Sequence, residues 1–197
     1  MIMMQGKGVS KGVVKGPLYF FRRPDAAVRQ WQVEDMDAEK MRLAQAQEKS
    51  IAQLEALAER CREEAGDEAA VLFETHAMFV EGEDYVECIH SCMEDENCNA
   101  EYAVQQAGEQ FAEMLAAMDD AYMQARAADI RDVSNRICNN LMGIVEGGID
   151  SAVPVILAAD DLAPSETIQL DKSKILAFVT KGGSSNSHTA ILARTMG

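Results

Sequence analysis

The chain has 197 residues, of which 48% are hydrophobic and 26% are charged, so it can bury a core and does not have the composition of a disordered protein. Its formal net charge is −15 and its pI is near 4.5, which argues against nucleic acid or an anionic membrane as a partner, because both require a basic surface. We therefore expect a cationic partner, no nucleic acid and no membrane.

The compartment follows from the apolar runs and the cysteines. No secretory signal is evident, and no apolar run approaches the roughly 20 residues that a membrane span requires. The five cysteines show no disulfide-framework spacing, which predicts reduced thiols and a cytoplasmic protein. Cys88, His90, Cys92 and Cys98 lack paired Cys-x₂-Cys spacing, so we predict no metal site in this chain.

Residues 1–21 have the composition of a sheet fragment. Glycines at positions 6, 8, 12 and 16 alternate with valine, leucine and aromatic residues. This pattern predicts short strands separated by tight turns.

A helical period then begins near Val33 and continues to about Ile144. It is clearest in the runs 51–61, 104–118 and 130–144, where apolar residues recur every three or four positions. A further helix is predicted near residues 68–81. Together they predict a mostly antiparallel four-helix bundle.

Details of the bundle can also be predicted. Gly82 is expected to break the second helix, which continues as a second piece beyond it. Asn99 and Asp119 are the predicted N-caps of the third and fourth helices. The twelve methionines are interpreted as filling of the bundle core rather than as a peptide groove.

Strand-like segments return in the last 50 residues. The apolar runs 153–158 and 175–179 have strand length, and residues 189–196 have a helical pattern. We predict an α/β subdomain formed by residues 1–21 and 145–197, with an all-α four-helix bundle inserted as residues 22–144. The sheet would be short of strands, so we expect a fragment of a longer protein.

Negative charge is concentrated in the helical subdomain. Between Glu63 and Ala125 there is no lysine and no arginine, although acidic residues recur throughout. A segment without internal counter-ions repels itself, which is easier to understand if its surface attracts a basic partner. The alternative is an acidic face that only keeps the protein soluble.

A candidate reactive residue, His188, lies near the end of the chain. It follows a predicted strand and a Gly-Gly-Ser-Ser-Asn-Ser turn, and it precedes a predicted helix. Backbone amides and the positive end of a helix dipole favour a phosphoryl group there. A neutral imidazole can attack phosphorus through one nitrogen while the other is held by a hydrogen bond. The alternative is a histidine that only caps the helix.

Several motifs together resemble one family. Gly182-Gly183 and the run Ser-His-Thr-Ala-Ile-Leu-Ala-Arg at 187–194 resemble the phosphohistidine signature of Enzyme I of the phosphoenolpyruvate-dependent sugar phosphotransferase system. Residues 158–167, 126–133 and 73–84 are similar to further Enzyme I motifs, so the likeness covers nearly the whole chain.

The resemblance implies a phosphotransferase with a swivelling-type phosphohistidine subdomain. His188 would carry phosphate on Nε2, and the Thr167 hydroxyl would orient the His188 ring. The helical subdomain would bind the basic face of the phosphocarrier protein HPr. The implied phosphate loop comprises Gly183, Ser184, Ser185, Asn186, Ser187 and Thr189. The implied docking residues are Asp67, Glu68, His76, Phe79, Glu83, Asp84 and Arg126.

The resemblance also implies what lies elsewhere. Phosphoenolpyruvate and Mg²⁺ would bind in a C-terminal barrel outside this chain, which itself would need no cofactor. The full-length protein would form a homodimer through that barrel, and the fragment would be a monomer.

Two departures from the family pattern stand out. One extra residue separates Gly183 from Ser187, and Asn186 stands where threonine is common, so we expect this loop to differ from the family's in conformation. Gly82 interrupts a docking helix. The alternatives are a swivelling domain of a pyruvate phosphate dikinase or phosphoenolpyruvate synthase, and an acidic binding module without enzymatic function.

Overall fold

The structure is a computed structural model. It describes residues 6–22, 27–144, 149, 151–182, 190, 191 and 194. The chain divides into two compact units. Unit 1 comprises Met1–Pro24 and Gly148–Gly197, and unit 2 comprises Asp25–Gly147. The helical unit is therefore an insertion between two segments of the other.

Unit 1 contains a parallel three-stranded sheet in the order β1-β2-β3. The strands are β1 (Leu18–Phe20), β2 (Val155–Ala159) and β3 (Ile175–Thr180). A short helix, α6 (Pro164–Gln169), and a 3₁₀ turn, Lys172–Lys174, connect β2 to β3. Parallel neighbours require such a crossover connection.

The strand predictions are confirmed for the later runs and only partly for the first. β2 and β3 form where the apolar runs 153–158 and 175–179 predicted them. Residues 6–17 form no strand, and Val13 is fully exposed. The physical reason is the glycine at every second to fourth position, which weakens a strand and leaves few side chains to pack.

In its described residues, 27–144, unit 2 has five helices. They are α1 (Met36–Ala65), α2 (Asp67–Val80), α3 (Glu83–Glu96), α4 (Ala100–Ala116) and α5 (Ala121–Leu141). Arg62 near the end of α1 contacts Glu74 of α2 at 2.5 Å, while Gln47 reaches the Val80 carbonyl at 3.2 Å, so these two helices run antiparallel. The unit is a bundle whose second helix is broken into α2 and α3.

The predicted break at Gly82 is confirmed. α2 ends at Val80 and α3 begins at Glu83, with Gly82 at φ −59° and ψ 125° between them. A β-carbon on Gly82 would lie 3.2 Å from the Phe79 carbonyl oxygen, closer than most such contacts. Glycine thus permits the chain to turn tightly over the end of α2.

The two predicted N-caps have different outcomes. Asn99 is the N-cap of α4, but its side chain accepts a hydrogen bond from the Trp31 amide at 3.0 Å instead of capping the helix. The N-cap of α5 is Asp120 and not Asp119. Asp120 Oδ1 accepts from the Tyr122 amide at 2.8 Å, so the prediction was wrong by one residue.

The core of unit 2 lies between the helices. Its largest fully buried side chains include Tyr85, Phe73, Leu54 and Ile137. Met93 is buried, but several other methionines are exposed, which contradicts their interpretation as core filling. The exposed fractions are 62% for Met41, 71% for Met78, 50% for Met114 and 36% for Met118.

Candidate functional site

The predicted phosphoryl-carrying residue lies outside the described residues. This holds for His188 and for the whole predicted phosphate loop, namely Gly183, Ser184, Ser185, Asn186, Ser187 and Thr189. Their roles remain predictions. The structure does describe Gly182 on one side of the loop, and the helical residues Ala190 and Ile191 on the other.

The chain enters the predicted loop from the carboxyl edge of the sheet. β2 and β3 end together, where Ala159 pairs with Thr180. The Lys181 amide donates to the Ala159 carbonyl at 3.1 Å, and the Gly182 amide donates to the Asp160 carbonyl at 2.7 Å. In open α/β sheets, ligands bind at the carboxyl ends of parallel strands. The last described residue before the loop therefore lies where a ligand site is expected.

Thr167 lies on α6, which begins shortly after β2 reaches the same edge. Pro164 occupies the first turn, and the Glu166 carboxylate accepts from the Ala163 amide at 2.7 Å, which fixes the start of the helix. Thr167 is 2% exposed, and its hydroxyl donates to the Ala163 carbonyl at 3.0 Å. Because the hydroxyl proton is used there, the side chain offers oxygen lone pairs to an N–H group.

The predicted acidic docking residues lie at the beginnings of α2 and α3. Asp67 and Glu68 occupy the first turn of α2, and Glu83 and Asp84 occupy the first turn of α3. All four are exposed. Carboxylates at these positions also stabilise the helices by interacting with the positive ends of their dipoles.

His76 and Arg126 lie beside Asp129. His76 is 3% exposed, and its Nε2 is 3.8 Å from Asp129 Oδ2, too long for a hydrogen bond. Arg126 Nη1 lies 3.4 Å from the same carboxylate oxygen. The Arg126 guanidinium also stacks over the Tyr122 ring, 4.9 Å from its centroid, and donates to its hydroxyl. His76 is therefore beneath the surface, while Arg126 is partly exposed.

Phe79 joins helices α2, α4 and α5. It is half-buried and packs against a cluster formed by Ala112, Ala127 and Ile130. Exposed apolar side chains that sequence reasoning missed come from the same helices: Val71 (52%), Met78 (71%), Met114 (50%) and Tyr122 (59%). No sequence pattern marked them as exposed, because the apolar period of a helix does not separate buried positions from those at the edge of its apolar face.

Some acids of this segment pair with cations from outside it, which reduces the self-repulsion that the sequence predicted. These cations come from α1 and α5, which flank the segment in the chain. Arg62 pairs with Glu74 and Asp67, and Arg131 of α5 pairs with Glu109 at 2.5 Å. The other pairs are Lys40 with Glu94 and Arg42 with Glu101. Tertiary folding thus relieves part of the repulsion.

The cysteines, the possible metal ligands and the hydropathy of the helices were each considered in the sequence-based predictions. All five cysteines are free thiols. Within the described residues, no three His, Cys, Asp or Glu side chains form a group that could hold a metal ion. Among the helices that the structure describes, none is both long and apolar enough to cross a bilayer.

Comparison with known protein families decides the relationship. Residues 5–126 match the N-terminal model of the phosphoenolpyruvate-utilising enzymes, and residues 152–197 match the model of their mobile domain. The chain belongs to this family. The two matches fall largely on unit 2 and on the C-terminal segment of unit 1.

Curated relatives point to one branch of the family. The phosphoenolpyruvate-protein phosphotransferase of Enterococcus faecalis is 39% identical over 196 residues, and that of Priestia megaterium is 36% identical over 194 residues. Each alignment covers 98% of this chain but 34% of the relative. The chain thus spans about a third of the length of these relatives.

Solved structures agree with this branch. An NMR solution structure of Enzyme I (nEIt) has a TM-score of 0.75 and 31% identity, covering 92% of this chain and 74% of that one. The N-terminal domain of Enzyme 1 (Nitrogen) has a TM-score of 0.68 and 25% identity. These matches confirm the fold class and the resemblance to Enzyme I. The dikinase or synthase alternative is not favoured.

Proposed function

We propose that this chain is the N-terminal part of a phosphoenolpyruvate-protein phosphotransferase, which carries phosphate on His188 and transfers it to a histidine of HPr. The observation that carries the proposal is the similarity to proteins of that name along 98% of the chain. The carboxyl-edge position of Gly182 supports a phosphate-binding loop directly after it.

The reaction we propose is a reversible exchange between two histidines. The lone pair of His188 Nε2 attacks the phosphorus of phospho-HPr, the phosphorus–nitrogen bond in HPr breaks, and a bond to Nε2 forms. Thr167 supports this assignment because its hydroxyl donates to Ala163, so its oxygen can accept the Nδ1–H of His188. A proton held on Nδ1 leaves the lone pair on Nε2.

HPr docking is proposed for the surface around Phe79. Two features support it: apolar side chains exposed on α2, α4 and α5, and acidic side chains at the starts of α2 and α3. Apolar and aromatic residues supply most affinity at protein interfaces, while complementary charge increases the association rate. In this proposal Asp67, Glu68, Glu83 and Asp84 attract HPr, and Phe79 with Arg126 contacts it near the buried His76.

The remaining parts of the proposal concern the whole protein. We infer that phosphoenolpyruvate and Mg²⁺ act in a C-terminal barrel, and that the same barrel makes a homodimer. The fragment is then a monomer that exchanges phosphate with HPr but does not use phosphoenolpyruvate. A cytoplasmic location is supported by the free cysteines.

The proposal is tested by mixing the chain with ³²P-labelled phospho-HPr. We expect acid-labile, base-stable label on the chain, and none on the His188→Ala variant. If the parent chain stays unlabelled while it still binds HPr, the phosphocarrier role is wrong for this loop. If it neither binds nor accepts label, the docking proposal also fails.

A second pair of variants tests the proposed role of Thr167. Thr167→Val removes the hydroxyl at nearly constant volume, and Thr167→Ser keeps it. We expect the valine variant to lose about tenfold or more in exchange rate, as for other orienting groups, and the serine variant to lose far less. Equal loss in both variants would assign the effect to packing, because Thr167 is buried.

A further inference from the structure

Cys92 and Cys98 meet at the C-terminal end of α3. After the helix ends, Asn97 adopts the left-handed conformation with φ of 48°. The Cys98 amide then donates to the Met93 carbonyl at 3.1 Å, which is the hydrogen bond of a Schellman motif. In this motif the residue after the left-handed position folds back against the last turns of the helix.

This fold-back brings the side chain of Cys98 against Cys92. Cys98 Sγ donates to the Cys92 carbonyl at 3.4 Å, so the two cysteines are neighbours although six positions separate them in the chain. The same contact in a Schellman motif is usually between apolar side chains. Cys98 is fully buried and Cys92 is partly exposed. A reagent in solution can therefore reach Cys92, and Cys98 can reach Cys92.

Cys92 also lines an acidic groove between α3 and α4. The groove has a volume of about 580 Å³, and Cys88 lines it as well. Its carboxylates are Asp95, Glu96, Glu109 and Glu113, of which Glu109 is paired with Arg131. Glu96 Oε1 lies 4.0 Å from Cys92 Sγ. Such a lining attracts a small cation and repels an anion.

The groove also affects the reactivity of Cys92. Burial raises the pKa of the Cys92 thiol, and the carboxylates of Glu96 and Asp95 raise it further. Its thiolate is therefore scarce near neutral pH. A reagent that brings positive charge into the groove offsets the carboxylates and favours the thiolate, whereas an anionic reagent does the opposite.

We propose that Cys92 and Cys98 form a reversible disulfide by exchange with a small cationic disulfide that binds in this groove. Cys92 loses its proton to solvent and its sulfur attacks one sulfur of the reagent. The reagent's sulfur–sulfur bond breaks, and one aminothiol leaves and takes up a proton. Cys98 then loses its proton, attacks the Cys92 sulfur and releases the second aminothiol. Two protein thiols are oxidised while the reagent disulfide is reduced to two thiols.

The test compares two reagents on the folded 197-residue chain. One is cystamine, a dicationic disulfide, and the other is dithiodiglycolate, a dianionic one. A protease that cleaves after glutamate cuts at Glu87, Glu94 and Glu96, so the peptide with Cys88 and Cys92 and the peptide with Cys98 stay joined only if a disulfide links them. The Cys88→Ala variant leaves Cys92 as the only thiol of the first peptide and therefore assigns the link. Each rate is divided by the rate of the same reagent with a small free thiol, because the two leaving thiols differ in pKa and therefore in intrinsic reactivity. On this scale we expect cystamine to produce the link about tenfold faster or more at low ionic strength, with the difference shrinking in high salt.

Cysteine variants distinguish a disulfide between Cys92 and Cys98 from nonspecific reaction of the thiols. Cys98→Ala should keep the aminothiol on Cys92 as a mixed disulfide, because no second thiol resolves it. Cys88→Ala is the matched control, since Cys88 lines the same groove, and should react like the parent. If Cys98→Ala does not fold, Cys92→Ala answers the same question, because the buried Cys98 should then stay unmodified.

Three results would overturn the inference. They are a link between other cysteines, a Cys92–Cys98 link that forms only in denaturant, and equal rates with both reagents at low salt. None of these measurements involves His188 or HPr, so the inference stands or fails independently of the proposed function.

Discussion

Gly108 of α4 and Ser134 of α5 touch at a point where no further atom fits. A β-carbon on Gly108 would lie 2.2 Å from Ser134 Oγ and 2.6 Å from Ser134 Cβ. The serine hydroxyl is held by Tyr85 Oη at 2.8 Å and donates to the Ile130 carbonyl at 2.9 Å. Because these contacts are buried, the serine has little freedom to move aside.

Gly108→Ala should therefore destabilise the protein, although alanine is the better helix former. We expect overpacking to reduce the free energy of unfolding by about 1–3 kcal/mol, measured by urea denaturation. In the double variant Gly108→Ala/Ser134→Gly, the serine side chain that would clash with the new methyl group is removed. This variant should recover part of the lost stability. An alanine variant as stable as the parent would contradict the close contact.

Glu101 anchors a charged network at the start of α4. Arg42 donates to both of its carboxylate oxygens at 2.7 Å, and Asn99 donates to it at 2.9 Å. Burial alone would raise the pKa of Glu101, but these hydrogen bonds outweigh it and hold the pKa below the ordinary value of 4.5. The network also reaches Glu39, whose carboxylate accepts from the Ala100 amide at 2.8 Å.

Glu101→Gln should cost stability in a pH-dependent way. A depressed carboxyl pKa stabilises the folded state above the unfolded-state pKa, and this contribution is lost as the pH falls through the folded-state pKa. We expect a loss of about 2 kcal/mol at pH 7 and a smaller one near pH 3, measured by urea denaturation. Glu113→Gln, an exposed change on the same helix, should have little effect. An equal loss of stability at pH 7 and pH 3 would show that the ionised carboxylate of Glu101 is not its cause.

At the scale of elements, the start of α5 is well suited to a test of helix capping, because two neighbouring aspartates precede the helix. Asp120 accepts from the amides of Tyr122 at 2.8 Å and Met123 at 3.4 Å. Asp119 was the predicted cap, but the helix begins one residue later. Residue type therefore predicted that a cap exists, while the backbone conformation selected which aspartate serves.

Asp120→Ala should lower the free energy of unfolding by about 1 kcal/mol, because it leaves two amides at the helix start without a carboxylate acceptor. Asp119→Ala removes the same charge one residue earlier and is the matched control. We expect it to change stability by no more than a few tenths of a kcal/mol. Thermal denaturation of both variants measures the difference. Equal losses would indicate a general charge effect instead of capping.

At the scale of the whole molecule, the net charge of −15 should control the encounter with a basic partner. Association of HPr, the partner proposed above, should slow strongly as salt is added, which stopped flow can measure. The physical reason is that the Debye length falls from about 30 Å at 0.01 M to about 3 Å at 1 M ionic strength. Dissociation should change less, since apolar contacts are not screened. A salt-independent association rate would show that the acidic face does not attract the partner.

The order of elements was predictable because each one is marked locally. Apolar residues every three or four positions predicted α1, α4 and α5, and short apolar runs predicted β2 and β3. The absence of strands in residues 6–17 was not predicted, since alternation with valine suggested strands there. Whether such a segment forms a strand depends on a neighbouring strand to pair with and on side chains to pack against. The alternating pattern does not contain this information.

The role of each candidate site residue stays a prediction, but the surroundings of some of them were not predictable. Motif resemblance implied a role for Thr167, and the structure adds that it is buried with its hydroxyl proton donated to Ala163. The resemblance also implied the acidic docking residues, whose role stays a prediction, whereas the exposed Met78 and Met114 were wrongly assigned to the core. A 3.6-residue period tolerates a wide apolar face, so it does not distinguish a buried position from one at the edge of the face.

The sequence by itself determined the long helices, strands β2 and β3, the break at Gly82 and the family, because these depend on local conformational preference and on motifs. Tertiary structure alone decided which charges pair and which polar groups serve a helix end. Arg62 and Arg131 neutralise acids of a segment that has no cation of its own, and Glu39 of α1 caps α4 through the Ala100 amide. Partners so distant in the chain meet only when the helices pack, so no local pattern specifies them.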